Sequence, residues 1–458
     1  MRSIKGYQGY VSGGINVKGK FFAIDFNPEF YFGGAGECLD FLNSWPSSQV
    51  NDFYFDFNYG DFPQYFGSGK TFFPWWGQSK ITVQFGGFEA GISTKNTWWG
   101  PGQWNTLTFS NNAQGFPHIS FNTIKPAKTF AGNLEMQFLM GKLESSNLRP
   151  TGIDELDDQF FDPLSDDWRY VNGLGLTWYP KWVNGLSLGF SRTVQQYSST
   201  LTDRFIDLFP VFQGFQKKNF FENGNSVDFD SNGQDQQFTI FGSYRNIPSK
   251  LELYFEFGRR DHAFNWRDFV LSPEHARAYI FGFLKLVELN QINRTIQIRS
   301  EISHQQESVN RYIRYSGLTG LSSWHMHHQA RGFTNFGQPL GVGIGPGGNI
   351  QTVEVALTKD FDKTGFLIER RENRQGFFYR SLGQQNAKKP WVDLSLGFLY
   401  DKQFGNLLLS SKLQFIHARN YQWQLDPSST PEFPKGENLT SVMAQVSAIY
   451  FWKKREGK

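Results

Sequence analysis

The sequence predicts an all-β protein: one transmembrane antiparallel β-barrel of the outer-membrane type spanning residues 1–458 as a single domain, about 18 strands in the intact protein, its lumen occluded by loops. Composition is the first of three observations behind this. At 458 residues the chain is too long for one ordinary soluble core, and Phe, at 49, outnumbers even Gly, at 47. Aromatics reach 18% while the whole hydrophobic class is only 39% and the mean hydropathy is -0.47, so apolar residues are interleaved with polar ones. No long apolar run exists, which excludes transmembrane helices.

The second observation is period-2 alternation over long segments. Segments near 20–32, 79–93, 130–143, 185–196, 235–246, 350–359, 391–401, 405–417 and 438–452 read as strands. DFYFDFNY at 52–59 also reads as a strand, with Phe53, Phe55, Phe57 and Tyr59 opposite Asp52, Tyr54, Asp56 and Asn58. In KLELYFEFGR the residues Leu251, Leu253, Phe255 and Phe257 oppose Glu252, Tyr254, Glu256 and Gly258. In TIQIRSEI, Ile296, Ile298 and Ile302 oppose Gln297, Arg299 and Glu301. Strands of roughly ten residues suit a tilted bilayer crossing, whereas those of soluble sandwiches average about five or six. The Phe face is therefore assigned to lipid, and the charged face to the lumen.

The third observation is the pattern of connections. Short links near 125–129, 180–184, 247–249, 287–292, 360–364 and 402–404 alternate with polar stretches near 144–168, 197–234, 261–275, 308–349, 372–390 and 418–437. Bacterial barrels alternate periplasmic turns with external loops in this way, and the last strand then descends to the periplasm. Counting back gives roughly seventeen strands, the first descending, where an even number is usual. One ascending strand and a signal peptide are accordingly expected upstream of MRSIKGYQGYVSGG, which lacks an apolar core. The stretch 60–78 is long for a periplasmic turn, and 95–116 is expected to fold inward as a plug.

Net charge and cysteine content narrow the partners. With 45 basic and 42 acidic residues the formal charge is +3, too even for the basic stripe that nucleic acid requires. Cys38 is the single cysteine, so there is no internal disulfide and no cysteine-based zinc site.

NTWWGPGQWNTLTFSNNAQGFP at 96–117 is too rich in Gly, Pro and Asn for a ladder strand. Trp98, Trp99 and Trp104 suit the apolar faces of sugar rings, and Gln103, Asn111 and Asn112 suit hydroxyls. The same tryptophans would equally pack a plug or form an interfacial girdle. His325 and His327 would share one face of a strand, but without cysteine partners they read as a polar network, and no metal or other cofactor is expected. GVGIGPGGN at 341–349 precedes a strand and not a helix, so its glycines serve close packing more readily than a phosphate. The acidic run 154–167 lacks calcium-loop spacing and reads as a solvated face. Arg370, Arg371, Arg374 and Arg380 lie on or near the 372–390 loop, where uronate, phosphate or lipopolysaccharide groups are suitable partners.

Four stretches resemble the Wzi-type capsule assembly family of Gram-negative outer membranes, in its Bacteroidetes-like branch. They are NTWWGPGQWNTLTFSNNAQGFPH at 96–118, WRDFVLSPEHARAYIFGFLKL at 266–286, WHMHHQARGFTNFGQPLGVGIGPGGNIQ at 324–351, and the early GYQGYVSGGINV followed by FNPEFYF. The resemblance implies a monomeric outer-membrane lectin barrel that holds capsular or other surface polysaccharide amid outer-membrane lipid. It also implies a periplasmic helical segment, which is expected to lie outside this sequence. No nucleophile motif accompanies His118, His262 or His304, so an enzyme is not expected. A porin or carbohydrate channel is the alternative, decided by whether loops and plug fill the lumen.

Overall fold

The computed structural model describes residues 7–34, 39–67, 69, 71–163, 165, 167–215, 233–263, 266–308, 323–383 and 388–452. A long hairpin opens the chain. β1 (Gln8–Ser12) and β2 (Ile15–Lys18) form one arm, and β3 (Phe22–Phe26) and β4 (Glu29–Gly33) the other. β4 pairs onward with β5 (Thr71–Trp75) and β3 with β6 (Lys80–Phe85), followed by β7 (Phe88–Ser93). β8 (His118–Thr123) and β9 (Ala127–Thr129) lie end to end against β10 (Gly132–Leu143).

Long hairpins follow: β11 (Arg169–Pro180), β12 (Leu186–Tyr197), β13 (Asp235–Asn246), β14 (Leu251–Arg260), β15 (Arg277–Leu289) and β16 (Arg294–His304). A small hairpin, β17 (Thr334–Asn335) and β18 (Gln338–Pro339), sits inside the next loop. The wall resumes with β19 (Asn349–Lys359), β20 (Asp362–Glu372), β21 (Val392–Phe404), β22 (Leu407–Arg419) and β23 (Asn438–Tyr450). Eighteen of these strands make one sheet rolled into a barrel, each antiparallel to its neighbours. β2 and β23 flank its seam, run in the same direction and are exposed almost throughout; among the described residues no ladder joins them.

The two faces of each wall strand follow the alternation. Leu253 and Phe255 are 41% and 44% exposed on the outer surface, whereas Tyr254 and Glu256, at 1% each, point inward. Short turns such as Asp360–Phe361 and Gly405–Asn406 gather at one end of the barrel, and every long excursion emerges at the other. The short-turn end is the periplasmic one by the usual arrangement of such barrels.

Residues 52–59 correct the expected strand, because they belong to α1 (Ser47–Asn58). The alternating aromatics there also fall at helical spacing. Val50, Phe53, Tyr54 and Phe57 share a buried face with Leu42, Phe377 and Trp423 in an external core. With no strand at that position, the described residues between β4 and β5, 39–67 and 69, belong to one external excursion, which removes the overlong periplasmic turn expected at 60–78. The other two cores lie in the lumen. One gathers Trp99, Phe109, Phe116, Leu139 and Val171, and the other Leu107, Tyr254, Ile280, Trp324 and Val342.

Candidate functional site

Between β7 and β8 the chain leaves the wall and crosses the lumen as a plug, residues 94–117. Two buried wall carboxylates hold it. Glu301 on β16 accepts hydrogen bonds from the backbone N–H groups of Gln103 (2.6 Å), Trp104 (3.2 Å) and Asn105 (2.9 Å). It also accepts from the Asn105 amide (3.2 Å) and the Tyr254 hydroxyl (2.9 Å). Glu256 on β14 accepts from the Leu107 N–H at 3.2 Å. A carboxylate removed from water is costly unless donors surround it, and here the plug backbone supplies them. Arg299 stacks over the Trp104 ring at 4.4 Å and pairs with Glu354 at 2.6 Å. On the external side Ser110 N–H donates to Leu340 O (2.7 Å), and the Asn112 amide donates to Pro339 O (2.9 Å), tying plug to loop.

The plug leaves a chamber on each side. The outer one, about 540 Å³, opens in the half of the barrel with the long loops and lies between the plug and the β1–β4–β5 sheet. Tyr10, Tyr31 and Phe73 are cross-strand partners and form a row of rings on its wall. Glu29 and Trp75 pair in the adjacent row. Facing them are side-chain amides, among them Asn96, Asn111, Asn112 and Gln114. Among the described residues the indole N–H of Trp75 and the amide nitrogen of Gln114, both removed from solvent, have no acceptor. The inner chamber, about 860 Å³, opens among the short turns and is lined by Trp98, Glu135, Tyr179, Arg245 and Glu252, among others.

The residues singled out in the sequence are distributed over these features. Asn111 and Asn112 line the outer chamber and Trp98 the inner one. Trp99 lines the inner chamber only along its edge: the ring is 4% exposed, donates to Gln137 at 2.6 Å and covers Gly173 and Gly175. Trp104 lies under Arg299. Arg374 is buried against Asp56 of α1 at 2.6 Å, and Arg380 approaches the same carboxylate at 3.4 Å. These two arginines therefore brace α1 and do not meet the asparagines. Sequence reasoning did not single out Tyr10, Tyr31, Phe73 and Trp75, which line the outer chamber. Their signal was the alternation in FNPEFYF and TFFPW, which places every second ring on the lumen face.

The other motifs are absorbed by the loops. His327 Nδ1 accepts from the backbone N–H groups of Gln329 (3.3 Å) and Ala330 (3.2 Å), in a turn and not on a strand. His325 is buried edge-on to Phe62, which pushes its pKa down to about 3 through loss of solvation. A Cβ on Gly341 would lie 1.9 Å from Leu107 O, and one on Gly343 would lie 2.1 Å from Asn112 Oδ1, so this loop is packed against the plug. The acidic run forms α2 (Asp154–Phe160), where Arg149 pairs with Asp158 at 2.6 Å and buried Asp157 accepts from Tyr54 at 2.6 Å.

A sequence profile described as "Capsule assembly protein Wzi" matches residues 77–354, more than half of the chain and all of the plug. The chain belongs to the Wzi capsule assembly family. Its fold is similar to that of Wzi from Escherichia coli, an outer-membrane protein involved in group 1 capsule assembly and a carbohydrate-binding β-barrel. That alignment has a TM-score of 0.59 at 11% identity and covers 96% of this chain and 78% of that one. Pseudomonas aeruginosa OccD3 aligns with a TM-score of 0.39 at 9% identity over 97% of this chain and 86% of its own. OprD from the same organism gives 0.37 at 7% identity over 96% and 92%. No curated protein sequence matches the chain.

Proposed function

We propose that this barrel sits in the Gram-negative outer membrane and holds surface polysaccharide in its outer chamber during capsule assembly. The observation that carries the reading is the lumen-facing row of Tyr10, Tyr31 and Phe73 beside Trp75, set opposite side-chain amides. Rings cover the C–H faces of sugars, and amides exchange hydrogen bonds with hydroxyls, the combination that orients a polar ligand in a mostly preformed cavity. Family membership supports the same reading.

The chamber favours neutral or amino sugars. Among the described residues its lining holds the carboxylate of Glu29 and no cationic side chain. The reading is binding without bond cleavage: among the described residues the lining carries one carboxylate, and hydrolysis of a glycosidic bond ordinarily uses a pair. In this reading the protein is an anchor and not a channel, which the plug and the 323–348 loop filling the middle of the lumen support.

The test uses the refolded barrel and purified capsular polysaccharide from a Wzi-family producer. Tyr10→Ala removes the most exposed ring of the row, at 55%. It should weaken binding about tenfold while leaving the heat-dependent gel shift of a folded barrel intact. Unchanged affinity in Tyr10→Ala and in Asn111→Ala would reject the outer chamber as the glycan site.

A further inference from the structure

The outer surface of β20–β22 carries a second, cationic cleft of about 420 Å³. Strand register places it on the lipid side. Arg370, Leu394 and His417 are cross-strand partners in one outward row, and Glu372, Val392 and Arg419 form the row above. The row below is Ile368, Leu396 and Phe415, and beneath that lie Phe366, Phe398 and Leu413, all exposed. The cleft therefore sits where the apolar band ends toward the long loops, at the level of the external headgroups.

Its charges are unevenly spent. Arg370 pairs with Glu372 at 2.7 Å, and Glu372 also accepts from Asn349 at 2.7 Å. Arg419 and Lys389 line the same cleft, are exposed, and make no ion pair among the described residues. Two open cations above a stripe of exposed Ile, Leu and Phe match an anion that carries acyl chains. Elsewhere on the rim, arginines of the same outward parity are covered by external loops: Arg192 lies under Phe215 and Arg259 under Phe269. On β20–β22 no described loop residue stacks over Arg419 in this way.

We propose that this cleft is a site for a phosphorylated glycolipid of the outer leaflet, with its phosphate against Arg419 and Lys389 and its acyl chains along Ile368, Leu396 and Phe415. Guanidinium and ammonium groups favour phosphate, and the local lipid boundary favours a ligand with an apolar tail.

The refolded full chain in detergent is offered bisphosphorylated lipid A, the same lipid after enzymatic dephosphorylation, or inorganic phosphate, and retention is read by native mass spectrometry. Bisphosphorylated lipid should be retained about tenfold more tightly than the dephosphorylated form, and Lys389→Gln with Arg419→Gln should abolish that preference. Lys285→Gln, a change on the outer face near the short turns, should leave it intact. Equal retention of the two lipids by the parent, or an unchanged preference in the double variant, would overturn the proposal. Saturation by inorganic phosphate alone would overturn it too, by showing a free-anion site. The parent's comparison of the two lipids decides the matter if the double variant does not fold.

Discussion

Glu301→Gln should detach the plug without opening the wall. The wild-type carboxylate receives three backbone N–H groups, one side-chain amide and one hydroxyl, divided between its two oxygens. Glutamine keeps one oxygen and turns an NH₂ toward the donors of the other. In its better orientation it retains the Gln103, Trp104 and Tyr254 bonds, all of which end on Oε2, and loses the two from Asn105. At about 1–3 kcal/mol for each buried donor left without an acceptor, the loss of two is about 2–6 kcal/mol. The population with the plug detached should rise by roughly three orders of magnitude, taking about 4 kcal/mol as the middle of that range. The ladders of Glu301 to Gly282 and Thr352 are backbone bonds and survive the change. Planar-bilayer recordings should therefore show brief openings absent from the parent, while heat-dependent gel mobility is unaltered. A variant as silent and as protease-resistant as the parent would mean that the carboxylate does not hold the plug.

Other outcomes follow from burial and charge. Phe255→Arg on the outer face should cost about 2–4 kcal/mol and reduce assembled barrel in membranes, scored by the unheated gel band. Trp99→Ala should cost about 3–5 kcal/mol by emptying the space over Gly173 and Gly175, seen as faster proteolysis of the plug. Arg374→Ala leaves Asp56 buried without its closest partner, so α1 should loosen by about 3–5 kcal/mol and become cleavable, as mass spectrometry of nicked protein would show. His325 is neutral when folded and takes up a proton only on unfolding between about pH 6.5 and its folded pKa of about 3. Loop stability should therefore fall as pH drops through that window, by about 1.4 kcal/mol per unit at most, and His325→Phe should flatten the dependence in melting curves.

The wall was legible in the sequence because a lipid-facing side chain at every second position is imposed along most of each strand. β14 and β16 show it residue by residue. Where the lumen face is packed by the plug, alternation disappears: β15 reads as a nearly unbroken apolar run, and β11 is interrupted by Gly173 and Gly175, which make room for Trp99. α1 was misread because aromatics at 53, 55 and 57 satisfy period 2, while its buried face also needs Val50 and Tyr54, which only helical spacing unites. Of the candidate residues, Asn111 and Asn112, singled out for their amide chemistry alone, line the outer chamber. The aromatic row escaped notice because its rings come from three strands and meet only through register, and Arg374 misled because an isolated loop arginine gives no sign of a distant Asp56.

The plug is gripped through its main chain. Glu301 and Glu256 engage the N–H groups of residues 103, 104, 105 and 107, which every amino acid except proline possesses. What the grip does fix is the glycines: a Cβ on Gly100 would stand 2.7 Å from a Glu256 oxygen, and one on Gly102 would stand 1.9 Å from Asn105 O. Anchoring through the main chain and the lining of the outer chamber are thereby separable along much of one segment. Outside Trp99, Trp104, Asn105 and Asn112, whose side chains also hold the plug, its side chains can be exchanged over evolutionary time while the barrier between the two sides of the membrane stays in place.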